Sequence, residues 1–155
     1  MKIVINRCYG GFSLSPRAVQ RLAELEGKPC YFFISEIDKP YRPIDLPDQK
    51  ESFPMWVAFT VPNPNEILRR SKDWHEMSDK EKIAWNNLYF SIDLDNRPDG
   101  RTDSLLIQAI EELGTEVASG ALAELEIVEI PDGVDWQIEG YDGMEWVAEK
   151  HRTWR

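Results

Sequence analysis

Residues 103–149 read DSLLIQAIEELGTEVASGALAELEIVEIPDGVDWQIEGYDGMEWVAE, and the reading of this stretch decides the fold. It begins as a helix. Asp103, or Thr102 before it, is placed to cap residues 104–113, and Gly114 is placed to stop them. Leu105, Leu106, Ile107, Ala109, Ile110 and Leu113 cover more than one stripe of that helix, which predicts a central position. The pattern then changes period. Glu124, Glu126 and Glu129 alternate imperfectly with Leu125, Ile127 and Ile130, and the extra Val128 predicts a bulged strand. Pro131-Asp132-Gly133 is a turn. Val134, Trp136 and Ile138 alternate with Asp135, Gln137 and Glu139 as a half-buried strand does. A turn at 140–143 follows. Asp142 and Glu145 have the spacing of a helix capping box, but Glu145, Val147, Glu149 and His151 alternate, and the alternation favours a strand. A helix followed by a C-terminal β-meander implies an α+β fold.

The same stretch holds thirteen of the chain's twenty-eight carboxylates and none of its eighteen Lys and Arg residues. The formal charge of -10 therefore resides here, and the remainder is close to neutral.

Outward from this stretch, KIVIN at 2–6 reads as a buried strand, and Gly10-Gly11 as a turn. Ser15 and Pro16 open a helix over 16–26, with Ala18, Val19, Leu22 and Leu25 on one side and Gly27 as its stop. PCYFFISEI at 29–37 and MWVAFTV at 55–61 read as strands. Between them residues 38–54 carry Pro40, Pro43, Pro47 and Pro54 and read as an extended loop. A short helix is expected over 65–74. Ser78 and Glu81 form a capping box for a helix to 88, with Ile83, Ala84 and Leu88 on one side. Residues 89–94 read as a short strand, and 98–100 as a turn. The expectation is one domain over 1–155, with a mixed or antiparallel sheet and two to four helices. A chain of this length buries about two-thirds of its unfolded surface.

Composition excludes several classes. No apolar run approaches the roughly 20 residues of a membrane helix, and MKIVINRC is too short to be a signal peptide. A cytoplasmic location is expected. Cys8 and Cys30 lack CxxC spacing and read as free thiols. The acidic balance argues against direct nucleic-acid binding. HExxH, paired CxxC and phosphate-loop motifs are absent, so no metal or cofactor is implied.

Two groups of site residues stand out. The first is Arg7, Cys8, Tyr9, Gly10, Gly11, Phe12 and Ser13, a strand end, glycine turn and helix start that would suit a phosphate. Arg101, Asp103, His151 and Arg152 join it if the chain ends meet. Against this, glycines at a tight turn need no ligand, and arginines near an acidic surface serve to neutralise it. The second group is Glu124, Glu126, Glu129, Asp135, Glu139, Asp142 and Glu145. Alternate strand residues lie about 6.6–6.8 Å apart, so these carboxylates could imitate a row of phosphates for a basic partner protein, or simply form a solvated face. His75, and His151 beside Glu149, are the histidines available for acid–base work.

INRCYGGFSLS at 5–15 and EIVEIPDGVDWQIEGYDGMEWVAEKHRTW at 126–154 resemble the two ends of a small family found in phage and bacterial sequences, and DSLLIQAIEELG resembles its central segment. The resemblance implies a protein of mobile elements. By analogy, it points to inhibition of a host defence system, either by blocking a basic protein surface or by sequestering a nucleotide signal. Three readings follow. The first is a non-enzymatic acidic interaction protein, anti-CRISPR-like or nucleic-acid-mimicking, acting in the host cytoplasm on a basic host protein. The second is a binder of a phosphate-bearing small molecule. The third is a small enzyme using Cys8 or His151. Oligomerisation is left open by all three.

Overall fold

The computed structural model describes residues 1–36, 39–48, 55–68, 76–90 and 100–150. Among these, seven strands and five helices form an α+β fold with three small antiparallel sheets. The first sheet pairs β1 (Lys2–Asn6) with β5 (Leu125–Glu129), so residues near both ends of the described chain share one ladder. Its register runs one-to-one from Lys2↔Glu129 to Asn6↔Leu125. The expected bulge at Val128 is therefore absent. Val128 sits opposite Ile3, which is fully buried, and the Leu125–Ile127 side of β5 joins the main core beside Val4. Both sides of β5 have apolar neighbours, so strict alternation was never required of it.

Helix α1 (Pro16–Leu25) and α4 (Ser104–Leu113) pack on each other over this sheet. Ser15 caps α1 by accepting from the Ala18 N–H, and its own hydroxyl donates to the Val117 carbonyl. Asp103 caps α4 by accepting from the N–H groups of Leu105 and Leu106. Leu106, Ala109 and Ile110 are fully buried, which puts α4 at the centre as its broad apolar surface predicts. Gly114, at φ 81°, ends α4 and leads into α5 (Thr115–Ala118). This one-turn helix was not anticipated, because four residues are too few to show a period.

The second sheet has the order β3-β2-β4, with β2 (Tyr31–Ile34), β3 (Arg42–Ile44) and β4 (Trp56–Phe59). β3 lies inside the proline-rich stretch expected to be a loop. Pro43 is tolerated there because β3 is the edge of its sheet. The sheet separates two cores. Phe32 and Ala58 face α1 and α4, while Phe33 and Phe59 face Tyr41, Trp85 and Tyr89. The Tyr41 and Tyr89 hydroxyls are 2.6 Å apart. Asn65, in α2 (Pro64–Leu68), holds the Tyr41 backbone at both its N–H and its carbonyl, each at 2.7 Å. Helix α3 (Asp79–Leu88) has the expected capping box, but it turns Trp85 and Leu88 inward and leaves Ile83 61% exposed. The aromatic wall beneath it accepts the indole in preference to the smaller side chains. Of the strand expected over 89–94, Tyr89 forms a bridge with Phe59 while 91–94 lie outside the described residues, and a 3-10 helical turn (Gly100–Thr102) precedes the α4 cap.

The third sheet is the hairpin of β6 (Trp136–Tyr141) and β7 (Met144–Glu149). Asp142 and Gly143 join them at φ 51° and 89°. Positive φ at both central residues is the geometry of the type I′ turn, and Asp-Gly favours it. This removes the helical alternative for 144–149. The three C-terminal strands are not one meander, however, because β5 pairs with β1 and β6 with β7 alone.

Two outcomes are expected. Leu106→Ala, in a site with no exposure, lowers unfolding stability by about 2–5 kcal/mol in urea titrations. Burial also pushes the Cys30 thiol from its ordinary value of 9.0 up to about 11. The folded state then favours the neutral thiol, so its contribution to stability is complete below pH 9 and is lost as pH rises towards 11. Alkylation of Cys30 at pH 8 should be roughly a hundredfold slower in the folded chain than in denaturant, as followed by mass spectrometry.

Candidate functional site

The hairpin has no fully buried residue, and beside the half-buried Ile138 and Val147 its attachment to the body includes a set of polar contacts. Arg101, 8% exposed, grips Glu145 of β7 in a fork, with Nη1 to Oε2 at 2.8 Å and Nη2 to Oε1 at 2.9 Å. The same Nη1 also donates to the Val4 carbonyl at 3.3 Å, and the guanidinium lies 3.6 Å from the centre of the Phe12 ring. The Asn6 backbone N–H donates to Glu145 Oε2 at 2.8 Å. Planar bidentate pairing and stacking on a ring are what arginine offers and lysine does not.

Asn6 extends this brace. Its side chain is fully buried, donates to the carbonyls of Cys8 (2.6 Å) and Gly143 (2.7 Å), and accepts from the Glu124 N–H (2.9 Å). One amide thus ties together the loop after β1, the hairpin turn and the segment before β5. The loops also touch directly. A Cβ on Gly10 would lie 1.6 Å from the Leu122 carbonyl oxygen, and one on Gly143 would lie 2.7 Å from the Gly11 nitrogen. Cys8 Sγ is 3.2 Å from the Leu122 carbonyl oxygen.

These contacts redistribute the residues singled out from the sequence. Arg101 and Glu145, assigned to a phosphate site and to a partner face respectively, hold each other inside the protein. Phe12 lies beneath Arg101, and Asp103 caps α4. The start of α1 is closed over: Ser15 and Pro16 are buried, and the Ser15 N–H donates to the Ala118 carbonyl. Gly120 packs against Ser13. The glycine turn thus has a tertiary reason of its own, close backbone approach. His75, His151 and Arg152 lie outside the described residues. Arg7 is near Glu126, with Nε to Oε2 at 3.2 Å, on the wall of a cleft of about 400 Å³ that Glu116, Ser119 and Glu124 also line. Among the described residues, no group of His, Cys, Asp and Glu is placed to hold a metal ion, and no helix is long and apolar enough to cross a membrane.

The acidic stretch acquires cations from elsewhere. Lys2 pairs with Glu111, the N-terminal ammonium with Asp132, Arg21 with Glu112 and Lys150 with Asp135. Hydrogen bonding from Arg21 and then Gln108 holds the Glu112 carboxyl below its ordinary 4.5. The help this gives folding is present above that value and lost as pH falls through the lowered one. The Lys2 and N-terminal pairs lie at one end of the β1–β5 sheet. At the other, the Asn6 end, Glu124 and Asp142 are exposed without an ion pair among the described residues. Three large side chains are exposed beside them: Tyr9 (64%), Leu122 (64%) and Tyr141 (73%). Each lies in or beside one of the three braced loops. Sequence reasoning named Tyr9, Glu124 and Asp142 but not Leu122 or Tyr141. A signal existed in Tyr141, an aromatic residue adjoining an Asp-Gly turn, where burial is difficult.

No protein family, curated protein or solved structure matches the chain.

A double-mutant cycle tests the brace. Glu145→Gln removes the carboxylate that faces a buried guanidinium and should cost about 3–5 kcal/mol. Arg101→Met should also be costly, but Arg101→Met with Glu145→Met should recover a large part of the loss, because burying neither charge removes both desolvation penalties. Urea unfolding of the four chains measures the coupling.

Proposed function

We propose that this chain is a non-enzymatic interaction protein that binds a basic surface of another protein through its three-loop end. The observation that carries the reading is that Tyr9, Leu122 and Tyr141 stand exposed on braced backbone next to Glu124 and Asp142, carboxylates with no ion pair among the described residues. Aromatic anchors on a rigid base lose little entropy on binding, and aromatic residues are enriched among those that dominate interface energies. Surrounding carboxylates select a cationic partner and speed encounter with it. The nucleotide-binding reading loses support because the guanidinium it relied on, Arg101, is occupied by Glu145.

The phage-like character of the two chain ends directs the search for a partner towards host defence proteins with basic nucleic-acid channels. On that proposal the chain acts as an inhibitor by occupying the channel mouth.

Capture of host proteins on the immobilised chain tests this. A specific partner should be held at about 0.1 M salt and released near 1 M, where the Debye length shrinks from about 10 Å to about 3 Å. Tyr9→Ala with Tyr141→Ser should weaken capture by more than about tenfold, since residues at an interface centre contribute at least about 2 kcal/mol each. Glu111→Gln, at the opposite end of the β1–β5 sheet, should leave it unchanged. Capture that resists high salt and ignores the tyrosine changes would overturn the proposal.

A further inference from the structure

The hairpin's two faces differ. Register places Ile138, Val147 and Glu145 on one side, and Glu145 reaches inward to Arg101. The opposite side carries three cross-strand pairs in a row: Gln137 with Ala148, Glu139 with Trp146, and Tyr141 with Met144. Trp146 is 41% exposed there and Tyr141 73%. No further strand pairs with either edge of the hairpin among the described residues. The outward side bears two exposed aromatic rings, while Gln137, Glu139, Met144 and Ala148 on it are half-buried.

Within the paired strands of that face Glu139 is the charged residue, and just beyond the strand ends Lys150 pairs with Asp135 at 3.2 Å. The Trp146 indole N–H donates to its Oε2 at 3.1 Å, and the Gln137 amide donates to its Oε1 at 2.8 Å. Each oxygen keeps a second lone pair. Both donors are neutral, and among the described residues no Lys, Arg or His is paired with this carboxylate. The result is a carboxylate fixed in orientation, set against an exposed indole and lacking a counter-charge. A guanidinium satisfies all three conditions: it forms charge-assisted bonds to the free lone pairs and stacks on the indole. Asp142, at the end of the same hairpin, adds negative potential and has no ion pair among the described residues.

Resting on the interaction role argued above, we propose that the outward face of β6–β7 docks a basic polypeptide segment, and that Glu139 and Trp146 together receive an arginine side chain of that segment. Tyr141 and Met144 form the apolar floor for the side chain two residues further along. The two positions lie about 6.6–6.8 Å apart along the strand, the spacing of alternate residues in an extended peptide.

The test is a titration of the ¹⁵N-labelled chain with a capped tetra-arginine peptide, followed at the Trp146 indole N–H, which Trp146→Phe assigns. A saturable shift of that signal is expected. The isosteric citrulline peptide, which lacks the charge, should produce none, and Glu139→Gln, which still accepts the indole hydrogen bond, should raise the Kd at least fivefold. An unmoved Trp146 indole, an equal response to citrulline, or indifference to Glu139→Gln overturns the assignment. Shifts confined to the neighbourhood of Tyr9 and Leu122 would overturn it while leaving the interaction role intact. The role itself falls only with the loss of salt-sensitive partner capture.

Discussion

The Arg101–Glu145 pair fastens the β6–β7 hairpin to the body of the fold. The β6–β7 hairpin is too thin and too exposed to carry a core of its own, and a two-stranded sheet in water is at best marginally stable. What fixes it is a desolvated ion pair in which each group has further partners: Val4 and Phe12 for the guanidinium, the Asn6 N–H for the carboxylate. Satisfying those remaining groups is the condition under which a buried pair is tolerated. Two charges that in the sequence look like surface features are thus the attachment of a structural element.

Asn6 turns that attachment into a platform. With one buried amide it sets the positions of three loops, and the glycines let those loops approach closely enough to share it. The side chains exposed on the loops are consequently held in place. This matters for recognition, because a surface that is already ordered gives up less entropy when a partner arrives. The fold also polarises the charge. The N-terminal ammonium and Lys2 meet carboxylates near the Lys2 end of the β1–β5 sheet; near the Asn6 end Arg7 meets Glu126, while Glu124 and Asp142 have no ion pair among the described residues. The acidic stretch is therefore partly a folding surface and partly an exposed field.

Most of the elements were legible in the sequence. Ser15-Pro16, Ser78 with Glu81, and Asp103 mark helix starts through local hydrogen bonds that depend on a few adjacent residues. KIVIN and YFFI declare strands by their side chains alone. The errors share one cause. Whether Pro43 lies in a strand, whether Val128 is bulged, and whether Trp85 or Ile83 faces inward all depend on which neighbour is present. The candidate site was legible in pieces. Tyr9, Glu124 and Asp142 were named, but in two separate groups with two separate uses, because no local pattern reports that residues 9, 122 and 142 meet.

The sequence by itself determined the α+β class, the positions of the main helices and strands, the turn at 140–143 and the segregation of charge, since these follow from local propensity, capping and period; pairing with β6 is what made 144–149 a strand and not a helix. Only the tertiary structure decided that β5 joins β1 instead of β6, that Arg101 and Glu145 face inward onto each other, and which carboxylates stay unpaired. Those outcomes rest on contacts between residues more than forty positions apart, where chain connectivity says nothing and the partners are chosen by burial and by the cost of leaving a desolvated charge alone.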